Sequence, residues 1–247
     1  QQAASPVGSV DPYIGGIGHL LTATAPNVQL PYGMVRLAPV FTPNVKDRYL
    51  ASKIYGFPAG ASLMTPVSGT AETDPERTAS EYDHDLETAT PYYYSVKLET
   101  YDIDVEYTAA HRAAFYRFKF PAGAAHVLFR PQASGAVEVR APDAATGYED
   151  PPAGNRTYFF ARFSQPFRTG QEKAAVATFP AGSGRVDVKI GVSYISVDQA
   201  RRNLEKEIPD WDFERVKKQA RDIWNAALSK ITVTGGTERQ RRIFYLS

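Results

Sequence analysis

Cysteine is absent from the 247 residues of this chain, and tryptophan, methionine and histidine are scarce, with two, two and four copies. Without cysteine the chain can form neither a disulfide scaffold nor a thiolate metal site, so a zinc finger is excluded. The four histidines form neither HExxH nor another zinc-binding spacing. No GxSxG motif occurs, which argues against a Ser-His-Asp hydrolase.

An excess of charge of one sign is also lacking, because 28 basic and 27 acidic residues leave a formal net charge of +1. Nucleic-acid-binding domains are expected to carry a clustered basic excess, so no nucleic-acid partner is predicted. No apolar run approaches the roughly 18 residues of a membrane-spanning helix, so no membrane span is predicted. The first nine residues resemble the end left by removal of a leader peptide, and we therefore expect an exported bacterial protein, periplasmic or extracellular.

Tyrosine and phenylalanine are abundant by contrast, with 15 and 13 copies, and both favour β-strands. Apolar and polar residues alternate in three consecutive segments, at residues 92–98, 102–108 and 112–120. A period of two is typical of strands with one face on a core and the other in water. The short gaps between the segments predict a meander of three antiparallel strands.

Further strand patterns bring the expected number to about ten, with short turns between them. We therefore predict a mainly β protein, built as a large antiparallel β-sandwich with C-terminal helices. Two segments rich in glycine and proline are predicted to be loops. Residues 54–74 are expected to contain at most one short strand, and residues 141–157 none.

Helical signals begin at residues 196–199, whose Ser-Val-Asp-Gln sequence is a capping box. In such a box the serine and glutamine side chains satisfy amide groups at the start of a helix. From Asp210 onward apolar residues recur at helical spacing, with Trp224 on the apolar face. This amphipathic helix is expected to pack on the sandwich and to place Trp224 in the core.

A second capping box, at residues 237–240, follows a predicted strand at residues 231–235. The helix that it starts is about ten residues long, and an isolated helix of that length is marginal in water. We therefore divide the chain into a β-sandwich domain at residues 1–235, with a helical excursion at about 197–229, and the start of a linker helix to a further domain at residues 236–247.

Acidic residues are concentrated around His84, with Asp83, Asp85 and Glu87 at alternate positions. This spacing resembles part of a calcium loop, but the EF-hand glycine and terminal ligand are absent. A polar loop whose carboxylates accept hydrogen bonds from backbone amides explains the same pattern. Both interpretations stay open at this point, and no metal ligand is assigned in this chain.

The same segment resembles a known family. His84, Asp85, Glu87 and Pro91, followed by the tyrosine-rich strand, are similar to the N-terminal domain of family-92 glycoside hydrolases. Those enzymes are calcium-dependent, inverting exo-α-mannosidases. The resemblance extends over residues 10–245 and is most specific in the meander and in the C-terminal region.

Two early loops follow the family pattern less closely. Residues 11–15 and 31–34 match it well, but His19 stands alone where the family often has two histidines. In the second loop, proline and alanine at residues 58–59 replace a Ser-His pair. These departures concern loops that face the substrate in the family.

The resemblance implies that both catalytic carboxyl groups and the calcium ligands lie in a helical (α/α)6 barrel domain beyond Ser247. No catalytic residue is therefore expected in this chain, and calcium is expected only in the barrel domain. The residues expected to contact the sugar are His19, Ser68, Thr70, His84 and Glu87.

The expected function is that of the N-terminal domain of a glycoside hydrolase similar to α-1,2-mannosidases. This domain would help to form the sugar pocket with its own C-terminal catalytic domain and would act in the degradation of mannose-containing glycans. The chain alone is expected to be inactive, because a glycosidase needs two carboxyl groups that flank the scissile bond. A non-catalytic carbohydrate-binding or structural β-sandwich is the alternative.

Overall fold

The computed structural model describes residues 5–18, 20–42, 45–169 and 175–246. The strands within these ranges are β1 (Val28–Gln29), β2 (Arg36–Leu37), β3 (Val40–Phe41), β4 (Lys53–Ala59), β5 (Ser62–Ser68), β6 (Ser80–Glu81), β7 (Thr88–Thr90), β8 (Tyr93–Leu98), β9 (Ile103–Ala109), β10 (Ala113–Lys119), β11 (Ala125–Arg130), β12 (Ser134–Arg140), β13 (Ala144–Asp150), β14 (Thr157–Phe163), β15 (Arg168–Thr169), β16 (Ala175–Phe179) and β17 (Arg185–Ser193). The helices are α1 (Pro75–Thr78), α2 (Val197–Glu207), α3 (Phe213–Leu228) and α4 (Glu238–Leu246).

Two large sheets form the sandwich. The first has the strand order β12-β13-β14-β17-β10-β9-β8-β7, and the second has the order β15-β16-β11-β5-β4-β3, with β6 also paired to β4. The strand pairs of the described ranges are antiparallel. The predicted fold class, a mainly β antiparallel sandwich with C-terminal helices, is confirmed. No helix of the described ranges is long and apolar enough to cross a membrane.

The predicted meander is formed by β8, β9 and β10, which pair in chain order within the first sheet. Its inner face carries three fully buried tyrosines, Tyr94, Tyr107 and Tyr116. The ring centroid of Tyr107 lies 5.0 Å from that of Tyr94 and 5.3 Å from that of Tyr116. Apolar alternation therefore identified the face that packs on the core between the sheets.

The outer face of β10 is buried in its first half, at Ala113 and Phe115, whereas the alternation predicted that this face is in water; Lys119 at its end is exposed as predicted. Phe115 is fully buried, and its ring centroid lies 5.3 Å from that of Phe213 and 6.0 Å from that of Trp211. Leu204 and Val216 belong to the same buried cluster. The helices α2 and α3 thus form a third layer over the first sheet, and this layer excludes water from Ala113 and Phe115.

The helix α2 lies so close to β17 that no side chain fits at Gly191. A Cβ atom at this position would lie 2.1 Å from the carbonyl oxygen of Ala200 and 2.8 Å from the Cβ atom of Leu204. Contacts under about 3 Å are not tolerated without backbone movement, because protein interiors are close-packed. Glycine at this position therefore allows the helix to pack directly on the sheet.

Both predicted helix starts are confirmed by their hydrogen bonds. The Ser196 hydroxyl accepts a hydrogen bond of 3.1 Å from the Gln199 amide, while the Gln199 side chain donates to Asn203 instead of returning to the cap. At the second box, the Gln240 amide donates to the Thr237 hydroxyl at 3.2 Å, and the Thr237 amide donates to the Gln240 side chain at 2.8 Å.

Three local predictions were wrong. Residues 54–74, predicted to be mostly loop, contain most of β4 and all of β5, and residues 141–157 contain β13. Residues 231–235, predicted to be a strand, form none. The first two segments are rich in glycine and proline, but each strand has partners that supply its hydrogen bonds, and tertiary pairing overrides local propensity.

Candidate functional site

The glycine loop, residues 15–18, is hydrogen-bonded to the chain around Arg48. The amide of Gly18 donates to the carbonyl oxygen of Lys46 at 2.6 Å. The amide of Arg48 donates in turn to the carbonyl oxygen of Gly16 at 2.8 Å. Two backbone hydrogen bonds therefore join the loop to a segment that lies about thirty residues further along the sequence.

Arg48 begins a short 3₁₀ turn, Arg48–Leu50, whose start is capped by Asp47 through the amide of Tyr49. The guanidinium carbon lies 4.2 Å from the ring centroid of Tyr13 and 4.8 Å from that of Tyr49. A guanidinium group at such distances is attracted by the aromatic ring faces. Because Arg48 is only 8% exposed, its charge also requires an ionic partner inside the protein.

That partner is Glu87, whose side chain is completely buried. One carboxylate oxygen accepts a hydrogen bond from the guanidinium of Arg48, and the other accepts one from the hydroxyl of Tyr94. The hydroxyl of Tyr13 donates to the backbone carbonyl of Glu87 at 3.2 Å. Both carboxylate oxygens are therefore engaged within the protein, and an effect of Glu87 on a ligand would pass through its neighbours.

Because Arg48 and Glu87 are both buried, the stability of the fold depends on keeping the two charges together. Loss of one partner from a buried ion pair leaves an uncompensated charge and typically lowers the free energy of unfolding by about 3–5 kcal/mol. Burial and the negative charge of Glu87 raise the pKa of Tyr13 to about 12. Burial, with Glu87 again, raises the pKa of Tyr94 well above its ordinary value. Both phenols therefore stay protonated at physiological pH and remain hydrogen-bond donors.

His84 lies beside this group, between two aromatic rings. Its ring centroid is 4.4 Å from that of Tyr82 and 5.0 Å from that of Tyr49. Both ring nitrogens are shielded from solvent and have no hydrogen-bond partner among the described residues. Burial lowers the pKa of His84, although the negative charge of Glu87 and the nearby backbone of Ala51 act in the opposite direction. The imidazole is therefore neutral at pH 7.

Several large apolar side chains in the segments that supply this group are exposed. Five of them, from the glycine-loop region, the 3₁₀ turn and the residue before Glu87, are between 50% and 71% exposed: Ile14, Ile17, Tyr49, Leu50 and Leu86. Exposed apolar side chains that lie together commonly mark the contact site of another domain or a ligand. We refer to these five residues as the apolar patch.

A cleft of about 250 Å³ is lined in part by Ile14, the residue before the glycine loop. Its lining includes Pro12, Ile14, Thr24, Pro91 and Trp224. The indole N–H of Trp224 donates to the carbonyl oxygen of Gln29 at 2.8 Å, and the side chain is only partly buried. The prediction that Trp224 belongs to the core was wrong: the buried residues of α3, Phe213, Val216 and Ala220, all lie in its first half.

The other predicted sugar contacts have different surroundings. The hydroxyl of Ser68 donates to the carbonyl oxygen of Tyr101 at 2.7 Å, and Thr70 is exposed just beyond β5. No hydrogen bond of the described ranges joins either residue to the ion pair or to His84. His19 lies outside the described residues. All five predicted contacts stay predictions, and the structure brings only His84 and Glu87 together.

The acidic segment around His84 does not form a cation site in the part of the chain that the structure describes. There, no group of three or more histidine and acidic side chains is arranged to hold a metal ion. The carboxylate of Asp83 instead accepts a hydrogen bond of 2.8 Å from the amide of Asp85. This is the arrangement of a polar loop, and the residues do not fit a calcium ion.

Arg48 and its two tyrosine neighbours were not identified from the sequence. Arg48 and Glu87 are 39 residues apart, and neither lies in a periodic segment that would predict burial of its charge. The one available signal was Tyr13, which lies within the family-like segment at residues 11–15.

Comparison with protein family models gives two matches, both to glycosyl hydrolase domains. The family model described as the glycosyl hydrolase family 92 N-terminal domain matches residues 9–193. The model described as the glycosyl hydrolase family 92 catalytic domain matches residues 199–247. Because the first match covers more than half of the chain, the chain belongs to glycoside hydrolase family 92, and the resemblance found in the sequence is confirmed.

Solved structures of this family share the fold. The inverting mannosidase BT2199 from Bacteroides thetaiotaomicron has a TM-score of 0.86 and 23% identity over 99% of this chain, which covers 39% of that protein. The α-mannosidase BT3965 of the same species, in complex with mannoimidazole, has a TM-score of 0.81 and 23% identity over 98%, again covering 39%. The glycosyl hydrolase ccman5 has a TM-score of 0.81 and 25% identity over 97%, covering 40%.

One curated relative is similar over a shorter stretch. An uncharacterized secreted glycosidase from Arthroderma benhamiae is 44% identical over 57 residues, which are 22% of this chain and 7% of that protein. This chain therefore spans about 40% of the solved relatives that it matches and a much smaller part of the curated one.

Proposed function

We propose that the chain is the N-terminal part of an inverting family-92 α-mannosidase of the α-1,2 type, and that the face around the glycine loop forms one wall of its sugar pocket. The observation that supports this most strongly is the succession of N-terminal and catalytic family-92 regions along one chain, at residues 9–193 and 199–247. The mannoimidazole complex of BT3965 supports mannose-containing glycans as the substrate class.

The helices support the proposed division into domains. Residues 1–235 form the sandwich domain with its helical excursion at about 197–229, and residues 236–247 begin the linker to an (α/α)6 barrel. The helices α2 and α3 support this division because they pack on the first sheet, whereas most side chains of α4 are exposed. The exposed apolar side chains of α4, Ile243 and Phe244, suit docking of a second domain.

In this proposal the catalytic domain supplies both carboxyl groups and binds the calcium ion, which would help to orient the sugar. Hydrolysis with inversion requires an acid and a base about 6.5–9.5 Å apart, with a water molecule between the base and the anomeric carbon. The described residues of this chain would shape the pocket wall. The proposed sugar contacts are His19, Ser68, Thr70, His84 and Glu87. Because Arg48 and Tyr94 engage both carboxylate oxygens of Glu87, its effect on the sugar would pass through Arg48.

Export to the periplasm or the cell exterior is part of the proposal. It is supported by similarity to the Arthroderma benhamiae protein described as an uncharacterized secreted glycosidase. Degradation of external glycans would be consistent with that location.

Assays of two proteins test the proposal. The full-length gene product and residues 1–247 alone are incubated with an aryl α-mannoside, with added calcium or with a chelator. We expect turnover by the full-length protein only, reduced by the chelator, and NMR of the first product should show β-mannose, as inversion requires. Turnover by residues 1–247 alone, or binding of mannosides by the full-length protein without hydrolysis, would contradict the proposal. The second outcome would favour a non-catalytic binding module.

A further inference from the structure

We propose that Arg48, held by Glu87, is a positioning residue that fixes the glycine loop at the edge of the sugar pocket. The role in the pocket rests on the function proposed above, whereas the positioning of the loop is carried by the contacts of this chain. Neither residue needs to touch the sugar for this role. The two residues would act through the backbone of the loop.

The side chain of Arg48 supports the loop directly. A Cβ atom at Gly16 would lie 2.6 Å from Cδ of Arg48 and 3.0 Å from the carbonyl oxygen of Tyr13. The loop backbone and the aliphatic part of Arg48 are therefore in direct contact, without space for a methyl group between them. The amide of Arg48 fixes the same glycine through its hydrogen bond to the Gly16 carbonyl.

A second glycine is constrained on the other side of the loop. A Cβ atom at Gly18 would lie 2.5 Å from the carbonyl oxygen of Leu21 and 3.6 Å from that of Lys46. The amide of Gly18 donates to the same Lys46 carbonyl, and the backbone of Ile17 forms an isolated β-bridge with Asp47. The loop is thus bonded along its length to the segment that ends at Arg48.

Glu87 makes this support rigid, because it connects Arg48 to the core of the sandwich. The hydroxyl of Tyr94, which bonds to Glu87, belongs to β8, and its ring stacks on that of Tyr107 in β9. The ring of Tyr13, three residues before Gly16, lies on the guanidinium of Arg48. A continuous set of contacts therefore runs from the first sheet through Glu87 and Arg48 to the loop.

The test uses the full-length protein with Arg48→Met, which keeps the length of the side chain but removes the charge. Amide hydrogen exchange followed by NMR or mass spectrometry reports on the loop itself. We expect the amides of Gly18 and Thr24, which bond within this assembly, to exchange at least about tenfold faster, while those of β9 and β10 are unchanged. Mannoside hydrolysis should show a raised KM with a smaller change in kcat, because a loosened loop weakens binding of both ground state and transition state.

Arg156→Met is a matched control. Arg156 forms a two-bonded pair with Asp150 and lies 4.5 Å from the ring centroid of Tyr148, so it makes the same kinds of contact as Arg48. It lies between β13 and β14, away from the loop, and is exposed. This variant should change neither loop exchange nor KM.

Gly16→Ala is a second variant, which leaves both members of the ion pair in place. The new Cβ atom would collide with Cδ of Arg48, so the loop should shift and show the same faster exchange. The Arg48→Ala substitution removes Cδ and with it the collision. Adding Gly16→Ala to an Arg48→Ala protein should therefore speed loop exchange less than adding Gly16→Ala to the unmodified protein.

The two proposals can fail separately. Unchanged loop exchange in both Arg48→Met and Gly16→Ala would overturn the positioning role, whatever the activity of the enzyme. If Arg48→Met does not fold, Gly16→Ala is sufficient as a test. Normal loop exchange and a normal KM in Gly16→Ala would then overturn the positioning role. If the full-length protein hydrolyses no mannoside at all, the proposed function fails, and faster loop exchange would still support the positioning role.

Discussion

The ammonium group of Lys189 donates a hydrogen bond of 3.0 Å to the carbonyl oxygen of Ile208, just after the C-terminal end of α2. The carbonyl oxygens of Pro209 and Asp210 lie 3.4 Å and 3.2 Å from the same nitrogen, and the ring centroid of Trp211 lies 4.3 Å away. Lys189 is only 5% exposed, and burial lowers its pKa. A buried charge on β17 thus ties the turn between α2 and α3 to the first sheet.

Lys189→Met should destabilise the protein by about 1–3 kcal/mol, because the buried carbonyl of Ile208 would lose its hydrogen-bond donor. The measurement is the free energy of unfolding in urea. Lys218→Met is the control, since Lys218 pairs with Asp222 on the exposed face of α3 and should contribute much less to stability than Lys189. Equal losses in the two variants would show that the Lys189 contacts do not stabilise the turn.

The stability of the fold should decrease at acid pH through His84. Burial lowers the pKa of the folded imidazole below the unfolded value of 6.5, so between these two values the unfolded state binds more protons. The free energy of unfolding therefore rises with pH through this window and falls as the pH drops below about 6.5. His84→Phe keeps a ring between Tyr49 and Tyr82 but cannot be protonated. Relative to this variant, the unmodified protein should lose stability between about pH 7.5 and about pH 5.

His111→Gln is the control for this experiment, because His111 is exposed. It should leave the dependence of stability on pH as in the unmodified protein. If the free energies of unfolding of the unmodified protein and of His84→Phe differ by the same amount at every pH in this range, the prediction is contradicted.

Phe115→Ala should be far more damaging than Trp224→Ala. Phe115 is fully buried beneath α3, and truncation of a buried phenylalanine typically costs about 3–5 kcal/mol. Trp224 is partly exposed and makes one hydrogen bond to a carbonyl, so its truncation should cost about 1–2 kcal/mol. Urea denaturation of the two variants gives the comparison. Equal losses would mean that the outer part of α3 is packed more tightly than the structure shows.

Gly191→Ala should displace α2 from the first sheet. Its Cβ atom would lie 2.1 Å from a backbone carbonyl of the helix, and overpacking of this kind typically costs about 1–3 kcal/mol. Gly8→Ala is the control, since a Cβ atom there meets nothing within 4 Å. Thermal unfolding of both variants is the test, and a melting temperature of Gly191→Ala equal to that of the control would contradict the close approach.

The inner face of the meander could be predicted from the sequence, because burial on a strand follows the backbone period of two. Val96, Ile103 and Phe118 lie on predicted inward positions and are buried. The capping boxes were predictable for a similar reason, since a cap and its partner are separated by only three residues. The family resemblance rested on the same local segments, and it gave the fold class and the family correctly.

The long-range pairs were decided by the tertiary structure. Nothing near Arg48 in the sequence indicates that Glu87 will neutralise it, and nothing near Lys189 indicates that the turn after α2 will receive its hydrogen bonds. Likewise, Phe115 alternates like a residue on a solvated face, yet two helices cover it. The domain division after residue 235 and the sugar contacts stay predictions.

The sequence by itself thus determined which face of each meander strand is buried and where the helices begin, because these features depend on residues within a few positions of one another. The partners of buried charges and the layer over the first sheet were determined only by folding. Their free energies depend on which distant segment excludes water from each group, and that depends on the three-dimensional packing of the whole domain.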